Sequence, residues 1–162
     1  MLKFGQPAVV EYQTGKKSDS YYQHGTIEVT VAKIQKADPK VFDKLKNKAD
    51  FKDLIPYYIF TDNKILSHEG KQDGNPPTSP IMYGVLKDGR AAGKVIGLGS
   101  LEGCDDTYFD DPKVGATAEN CTIAVAKKGG DPVVGVEFEG DADVYSSSSD
   151  NPYNDKPVVW MP

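Results

Sequence analysis

From Gly25 to Ile34 the chain alternates: Ile27, Val29 and Val31, with Ile34 after them, fall to one side of Glu28, Thr30 and Lys33. A period of two marks a strand with one buried face, and no other feature of the chain constrains its fold so narrowly. Shorter runs repeat the theme. Residues 7–12 form a first strand that stops at Thr-Gly-Lys-Lys17. Residues 54–61, Leu-Ile-Pro-Tyr-Tyr-Ile-Phe-Thr, are the most apolar and aromatic stretch and predict a central strand, with Pro56 near its start, where a missing N–H is tolerated. Residues 81–86 and 91–96 flank Asp88-Gly89, a strong hairpin-turn signal. Cys121, Ile123 and Val125 are answered across a Gly-containing turn by Val134, Val136 and Phe138, which predicts a second hairpin. Pro157-Val-Val-Trp160 closes the chain with its only tryptophan.

Between the second and third runs, Asp38-Pro39 offers a helix start, with Asp at the cap and Pro at the first helical position. Val41, Phe42, Leu45 and Ala49 then recur at helical spacing, predicting one short helix of about three turns. Residues 69–80, rich in glycine and proline, predict a long surface loop, and 143–155 an acidic, serine-rich one. About eight short strands, regular turn signals and one brief helix describe an all-β, antiparallel β-sandwich. No alternating βα units support a nucleotide-binding parallel sheet. At 162 residues the length fits a single domain over 1–162. The predicted core is Val29, Val31, Tyr58, Ile96, Ile123, Val136 and Trp160.

Charge narrows the class of partner. Net charge is −5 overall, but residues 1–52 carry ten Lys against six acids (+4) and the remainder nine Lys/Arg against eighteen acids (−9). The basic part is spread thinly and holds no Arg, which argues against a nucleic-acid groove. No run approaches the ~18 apolar residues of a membrane span. The two cysteines, Cys104 and Cys121, leave two readings: a pair of buried free thiols, or a disulfide closing a short loop and stabilising the fold by roughly 3 kcal/mol. The bond is favoured because Cys104 lies in a polar, acidic loop where a lone thiol gains little burial. A bond implies an oxidising, extracytoplasmic setting. Either an export signal precedes Met1 in the precursor, or the protein is cytosolic.

Several local patterns occur in one order: Phe4-Gly-Gln-Pro-Ala-Val-Val10, Gly25-Thr-Ile-Glu-Val-Thr-Val-Ala-Lys-Ile34, Ile55-Pro-Tyr-Tyr-Ile59, Asp88-Gly-Arg-Ala-Ala92, Leu101-Glu-Gly-Cys104, Asn120-Cys-Thr-Ile-Ala-Val125 and Pro157-Val-Val-Trp160. Together they resemble the immunoglobulin-like, telokin-like domain of actinobacterial secreted proteins and lipoproteins, typified by a mycobacterial secreted antigen. The resemblance runs nearly end to end. It implies an immunoglobulin-like sandwich, a Cys104–Cys121 disulfide, export, and a lipid anchor on a cysteine upstream. It carries over no catalytic residue. This chain departs after Tyr57-Tyr58, where Thr61-Asp-Asn-Lys64 interrupts a strand that the family continues in Val, Thr and Asn.

Candidate chemistry is sparse. Asp105, Asp106, Asp110 and Asp111 could supply carboxylates to calcium, although their spacing matches no EF-hand and acidic loops are usually only solvated. His24 and His68 read as surface histidines, with no second ligand at zinc-site spacing. Ser100 lacks a nucleophile elbow, and Gly93–Gly99 lacks the lysine and helix of a phosphate loop. Tyr57 and Tyr58 read as cross-strand packing, while Tyr145 and Tyr153, flanking a serine run, are candidates for a binding surface. The expectation is a non-enzymatic, cofactor-free, exported or cell-surface module that binds an extracellular protein or glycan. A hydrolytic or carbohydrate-active accessory enzyme and a structural spacer of a lipoprotein are the alternatives.

Overall fold

The computed structural model of the chain describes residues 1–14, 16–70, 80–95, 101–105, 109, 113–140, 153 and 156–162. The strands among them are β1 (Leu2–Lys3), β2 (Pro7–Thr14), β3 (Gln23–Lys36), β4 (Leu54–Gly70), β5 (Tyr83–Leu86), β6 (Gly93–Lys94), β7 (Thr117–Lys127), β8 (Val133–Phe138) and β9 (Val158–Met161). They build a four-stranded sheet in the order β1-β9-β8-β5 and a five-stranded sheet in the order β2-β3-β4-β7-β6. Only β1 and β9 run parallel; every other pair is antiparallel. The protein is an all-β sandwich.

The opening alternation became β3. Ile27, Val29 and Val31 are fully buried between the sheets, and the three-residue step to Ile34 is a bulge, a register shift between Val31 and Lys33 opposite β4. β4 is longer than its apolar stretch. It runs through Thr61-Asp-Asn-Lys64 to Gly70 because period two survives the change in polarity: Thr61 and Asn63 point inward and are buried, while Asp62 and Lys64 are exposed. Glu69 and Gly70 are thus strand and not loop, paired with His24 and Gln23. Pro56 is tolerated near the start of β4 because its carbonyl, accepting from Ala37 N at 3.0 Å, faces the point where β3 ends, so its absent N–H interrupts no ladder.

Neither predicted hairpin forms as a simple one. Cys121–Val125 and Val134–Phe138 do not pair: β7 lies between β4 and β6 in one sheet, and β8 between β5 and β9 in the other. The physical reason is that the C-terminal half of β7 is apolar on both faces, with Cys121, Ile123 and Val125 on one and Ala124 and Ala126 on the other. Such a strand must be covered on both sides, and the connection after it carries the chain across the sandwich. β8 itself bulges at Val134, where the register steps from Val85↔Gly135 to Leu86↔Val133. Around Asp88-Gly89 the turn does close, with Leu86 N donating to Arg90 O at 2.8 Å and Ala92 N to Gly84 O at 2.8 Å. Gly89 supplies the left-handed φ of +87° that this turn requires. The chain then leaves for the other sheet, where Gly93 pairs with Val125.

The predicted helical segment winds as two 3-10 pieces, Pro39–Lys44 and Lys48–Phe51. Asp38 caps the first through Lys40 N at 3.0 Å, and Leu45 N bonds Phe42 O at 3.0 Å. Three residues per turn set Phe42 and Leu45 on one side, where both meet the sheet. The choice of pitch follows from what they cover. Phe42, Leu101, Cys104 and Phe51 gather over Tyr58, Cys121, Ile123 and Val125 on the outer face of the five-stranded sheet. This second core is distinct from the inter-sheet core that holds Val29, Val31, Ile59, Val136, Phe138 and Trp160. Of the predicted core, Tyr58 and Ile123 therefore belong to the outer cluster, and Ile96 lies outside the described residues.

The N-terminal strands stitch the two layers together. Phe4 N donates to Met161 O in one sheet (3.1 Å) and Gly5 N to Val31 O in the other (2.9 Å). Trp160, fully buried, donates its indole N–H to Gln6 O at 2.9 Å.

Candidate functional site

Cys104 and Cys121 are joined, with Cα atoms 5.2 Å apart, and both are buried, 2% and 7% exposed. Cys121 sits on the outer face of β7 opposite Phe60 of β4. Cys104 ends a turn from Leu101, its N–H bonding Leu101 O at 2.8 Å. That turn is held from two further directions. Tyr58 Oη donates to Glu102 O at 3.0 Å, and Lys44 Nζ of the first 3-10 piece reaches Glu102 Oε2 at 2.6 Å on the exposed surface. The pair's hydrogen bond and opposite charges push the lysine up and the glutamate down from their ordinary values, but in water such a pair adds little.

Five residues beyond Cys104 the chain is on the other side of the sheet. Phe109 is 1% exposed and belongs to the inter-sheet core. The loop closed by the disulfide thus passes from the outer face of the five-stranded sheet to its inner face and contributes a side chain to each core. Its acidic composition hid this. Phe109, midway in an aspartate-rich run, was the only signal that the loop is anchored.

The remaining candidates fall into place unevenly. Asp105 is exposed; Asp106, Asp110 and Asp111 lie outside the described residues, as do Ser100 and Tyr145. Among the described residues no group of three or more His, Cys, Asp or Glu side chains could hold a metal ion. Tyr153 is half-buried. Its ring packs edge-on against Phe138 with centroids 4.9 Å apart, and its hydroxyl accepts from Glu11 N at 3.1 Å. That N–H belongs to β2, the edge strand of its sheet, and points away from β3, so the phenol covers a donor that an edge strand otherwise leaves open. Both ring and hydroxyl therefore serve the domain's own packing. Tyr153→Phe is expected to lower stability by about 1 kcal/mol, and Tyr153→Ala by more, read as shifts in a urea unfolding midpoint. Equal effects would assign the whole contribution to the hydroxyl.

His68 is no surface histidine. Tyr12, Gly25 and His68 stand in register across β2, β3 and β4, on the inner face. The Tyr12 ring lies over Gly25 and stacks toward the imidazole, 6.2 Å between centroids and 14° between planes. Its hydroxyl meets His68 Nδ1 in a hydrogen bond, while His68 Nε2 is buried. Gly25 permits this arrangement: a Cβ there would strike the Tyr12 ring and the Ser67 carbonyl oxygen. An aromatic laid over a cross-strand glycine is a packing device, and Gly25→Ala should cost about 1–3 kcal/mol through overpacking, measurable as a lowered melting temperature.

Burial pushes the Tyr12 phenol up to about 12. The folded value exceeds the unfolded value near 10, so the stabilisation is complete below about pH 10 and is lost as pH rises to about 12. Stability should fall across that window by on the order of 2 kcal/mol, and Tyr12→Phe should flatten the slope. An unchanged slope in Tyr12→Phe would contradict the assignment. The sequence signal was available: Tyr12 and His68 each face a glycine once β2, β3 and β4 are aligned.

Among the described residues, the other half of the five-stranded sheet's outer face has no covering element. Thr26, Glu28 and Thr30 of β3 align with Ser67, Lys64 and Asp62 of β4, and the last two with Thr117 and Glu119 of β7. It is a hydrogen-bonding face of acidic balance, in contrast to the half capped by the 3-10 pieces. At one end of the sandwich Tyr21, 52% exposed, is carried on the β2–β3 connection, whose turn is fixed by Lys16 N donating to Asp19 Oδ2 at 2.8 Å. No family model, no curated protein and no solved structure matches this chain.

Proposed function

We propose that the protein is an exported, non-enzymatic module of the cell surface or extracellular space that binds a protein or glycan partner. The observation that carries this reading is the buried disulfide. A buried bond within the outer core, closing a loop that also sends Phe109 into the inter-sheet core, is a structural bond, and structural disulfides persist in oxidising compartments. Among the described residues no helix is long and apolar enough to cross a membrane. The ordered motifs, which resemble those of actinobacterial secreted proteins and lipoproteins, support export and an upstream lipid-bearing cysteine. Partner contact is assigned to the open half of the outer face, with Tyr21 at the margin of the same sheet. A polar sheet face suits a macromolecular partner better than a small substrate, which is bound in a concave pocket.

Fractionation of the source cells, with antibody detection and non-reducing electrophoresis of each fraction, tests the compartment. The proposal expects the oxidised protein outside the cytoplasm; a reduced cytosolic protein would overturn it. The face is tested separately by Glu28→Lys with Asp62→Lys, which should weaken retention of the purified protein on intact cells while leaving the melting temperature within a few degrees. Undiminished retention would remove this face from the reading.

A further inference from the structure

Among the described residues the inner wall of the five-stranded sheet is mostly apolar; apart from Gln23 and the Tyr12–His68 pair toward one end, its polar side chains gather in one place. On β4, Thr61 and Asn63 stand between Ile59 and Ile65, and are 3% and 2% exposed. On β7, Asn120 lies opposite Thr61 and Thr122 opposite Ile59, which puts both on the same inner face. These four side chains form a block of hydroxyls and carboxamides without a formal charge.

Asn63 is the deepest of them and the least satisfied. Its Nδ2 donates to Thr61 Oγ1 at 3.3 Å and to Ala118 O at 3.4 Å, which fixes the orientation of the amide, since the Ala118 carbonyl can only accept. Its Oδ1 is buried with no donor from the chain. A buried carbonyl oxygen without a donor is strongly disfavoured, and a valine would have filled the position with no such penalty. Ala118, directly opposite Asn63, carries nothing beyond its Cβ to crowd the amide. Toward Asn120 and Thr122 the block becomes half-buried. There, among the described residues, β7 borders the sheet, because β6 pairs with Val125 and Ala124 and the chain beside it reaches no further than the Val95 N–Ile123 O bond.

We infer that the Thr61–Asn63–Asn120–Thr122 block is a binding site for a neutral hydroxyl donor, which enters from the β7 border and donates to Asn63 Oδ1. The absence of charge on all four side chains selects against ions. Two sources share this chemistry, an ordered water and a hydroxyl of a neutral sugar. The site is separate from the outer-face docking proposed above and does not depend on it.

Solution NMR on the whole protein separates the sources. In buffer, the Asn63 side-chain amide or the Ala118 methyl should show a cross-peak to a long-lived water. Titration with glucose, galactose or N-acetylglucosamine then either leaves the block unchanged, assigning the donor to water, or produces saturable shifts at Asn63, Ala118, Asn120 and Thr122, assigning it to sugar. Asn63→Val should abolish whichever signal is seen while the remaining spectrum stays dispersed. Should that variant fail to fold, Thr122→Val, at the half-buried border, should still reduce saturation by sugar or shorten the water's residence. Absence of both a water cross-peak and sugar-induced shifts in the wild-type protein would overturn the inference, as would a signal unaltered in the folded variants.

Discussion

Replacing Trp160 with alanine should destabilise the domain by about 3–5 kcal/mol, the largest loss expected from any single side chain. Trp160 is fully buried, stands in register with Val136 on one side and Leu2 on the other, and donates to Gln6 O at 2.9 Å. It therefore fills the inter-sheet core, supports β9, which both β1 and β8 need for pairing, and satisfies a carbonyl in the connection between the sheets. Against a total of ~5–15 kcal/mol the loss is a large fraction, worth roughly 6–20 °C in melting temperature at this size. Trp160→Phe separates the contributions: it retains most of the area and leaves the Gln6 carbonyl without its indole donor. Circular dichroism melts of both variants should rank wild type above Phe and Phe above Ala. If Phe and Ala melted together, the hydrogen bond and not the ring volume would dominate.

Removing the disulfide should cost about 3 kcal/mol for a separation of 17 residues, and the loss should have a location. Alanines at both positions are the cleaner variant, because serines at such buried sites would add hydroxyls needing partners. Without the bond, Leu101–Cys104 is held over the outer face only by Tyr58 Oη, the exposed Lys44–Glu102 pair and apolar contact. Phe109 loses its nearest covalent anchor as well. Amide exchange should therefore rise in the 3-10 pieces and the first half of β7, while β8, β9 and the centre of β3 keep their protection below the global unfolding limit. A cooperative transition should remain, since the inter-sheet core contains neither cysteine. Uniform loss of protection would contradict the two-core account.

What the sequence made legible is what local periodicity encodes. β3 could be read to within two residues at each end because Ile27, Val29 and Val31 alternate without interruption, and the final strand because its apolar residues sit between turn signals. Pairing was less legible. Period two says that Cys121–Val125 and Val134–Phe138 are strands but not that they lie in different sheets; the one clue was that Ala124 and Ala126 make the C-terminal half of β7 apolar on its second face. The length of β4 was hidden for a similar reason: Thr61 and Asn63 hold inward positions with polar side chains, so hydropathy fell while the backbone pattern continued. Sites suffered most. Tyr153 and His68 read as surface residues because nothing local shows that one caps Glu11 N and the other lies behind Tyr12, contacts made between residues 142 and 56 positions apart.

One disulfide, Cys104–Cys121, closes a loop that anchors both cores of the sandwich. Its most direct test is to unfold protein purified without reductant in the presence of an alkylating reagent, digest it, and weigh the peptides. Denaturation is essential, because buried thiols escape reagent whether or not they are bonded. The account predicts a single linked peptide pair containing Cys104 and Cys121, with neither cysteine alkylated until reductant is added. Quantitative alkylation of both cysteines before reduction would contradict it, and with it the extracytoplasmic reading that rests on the bond.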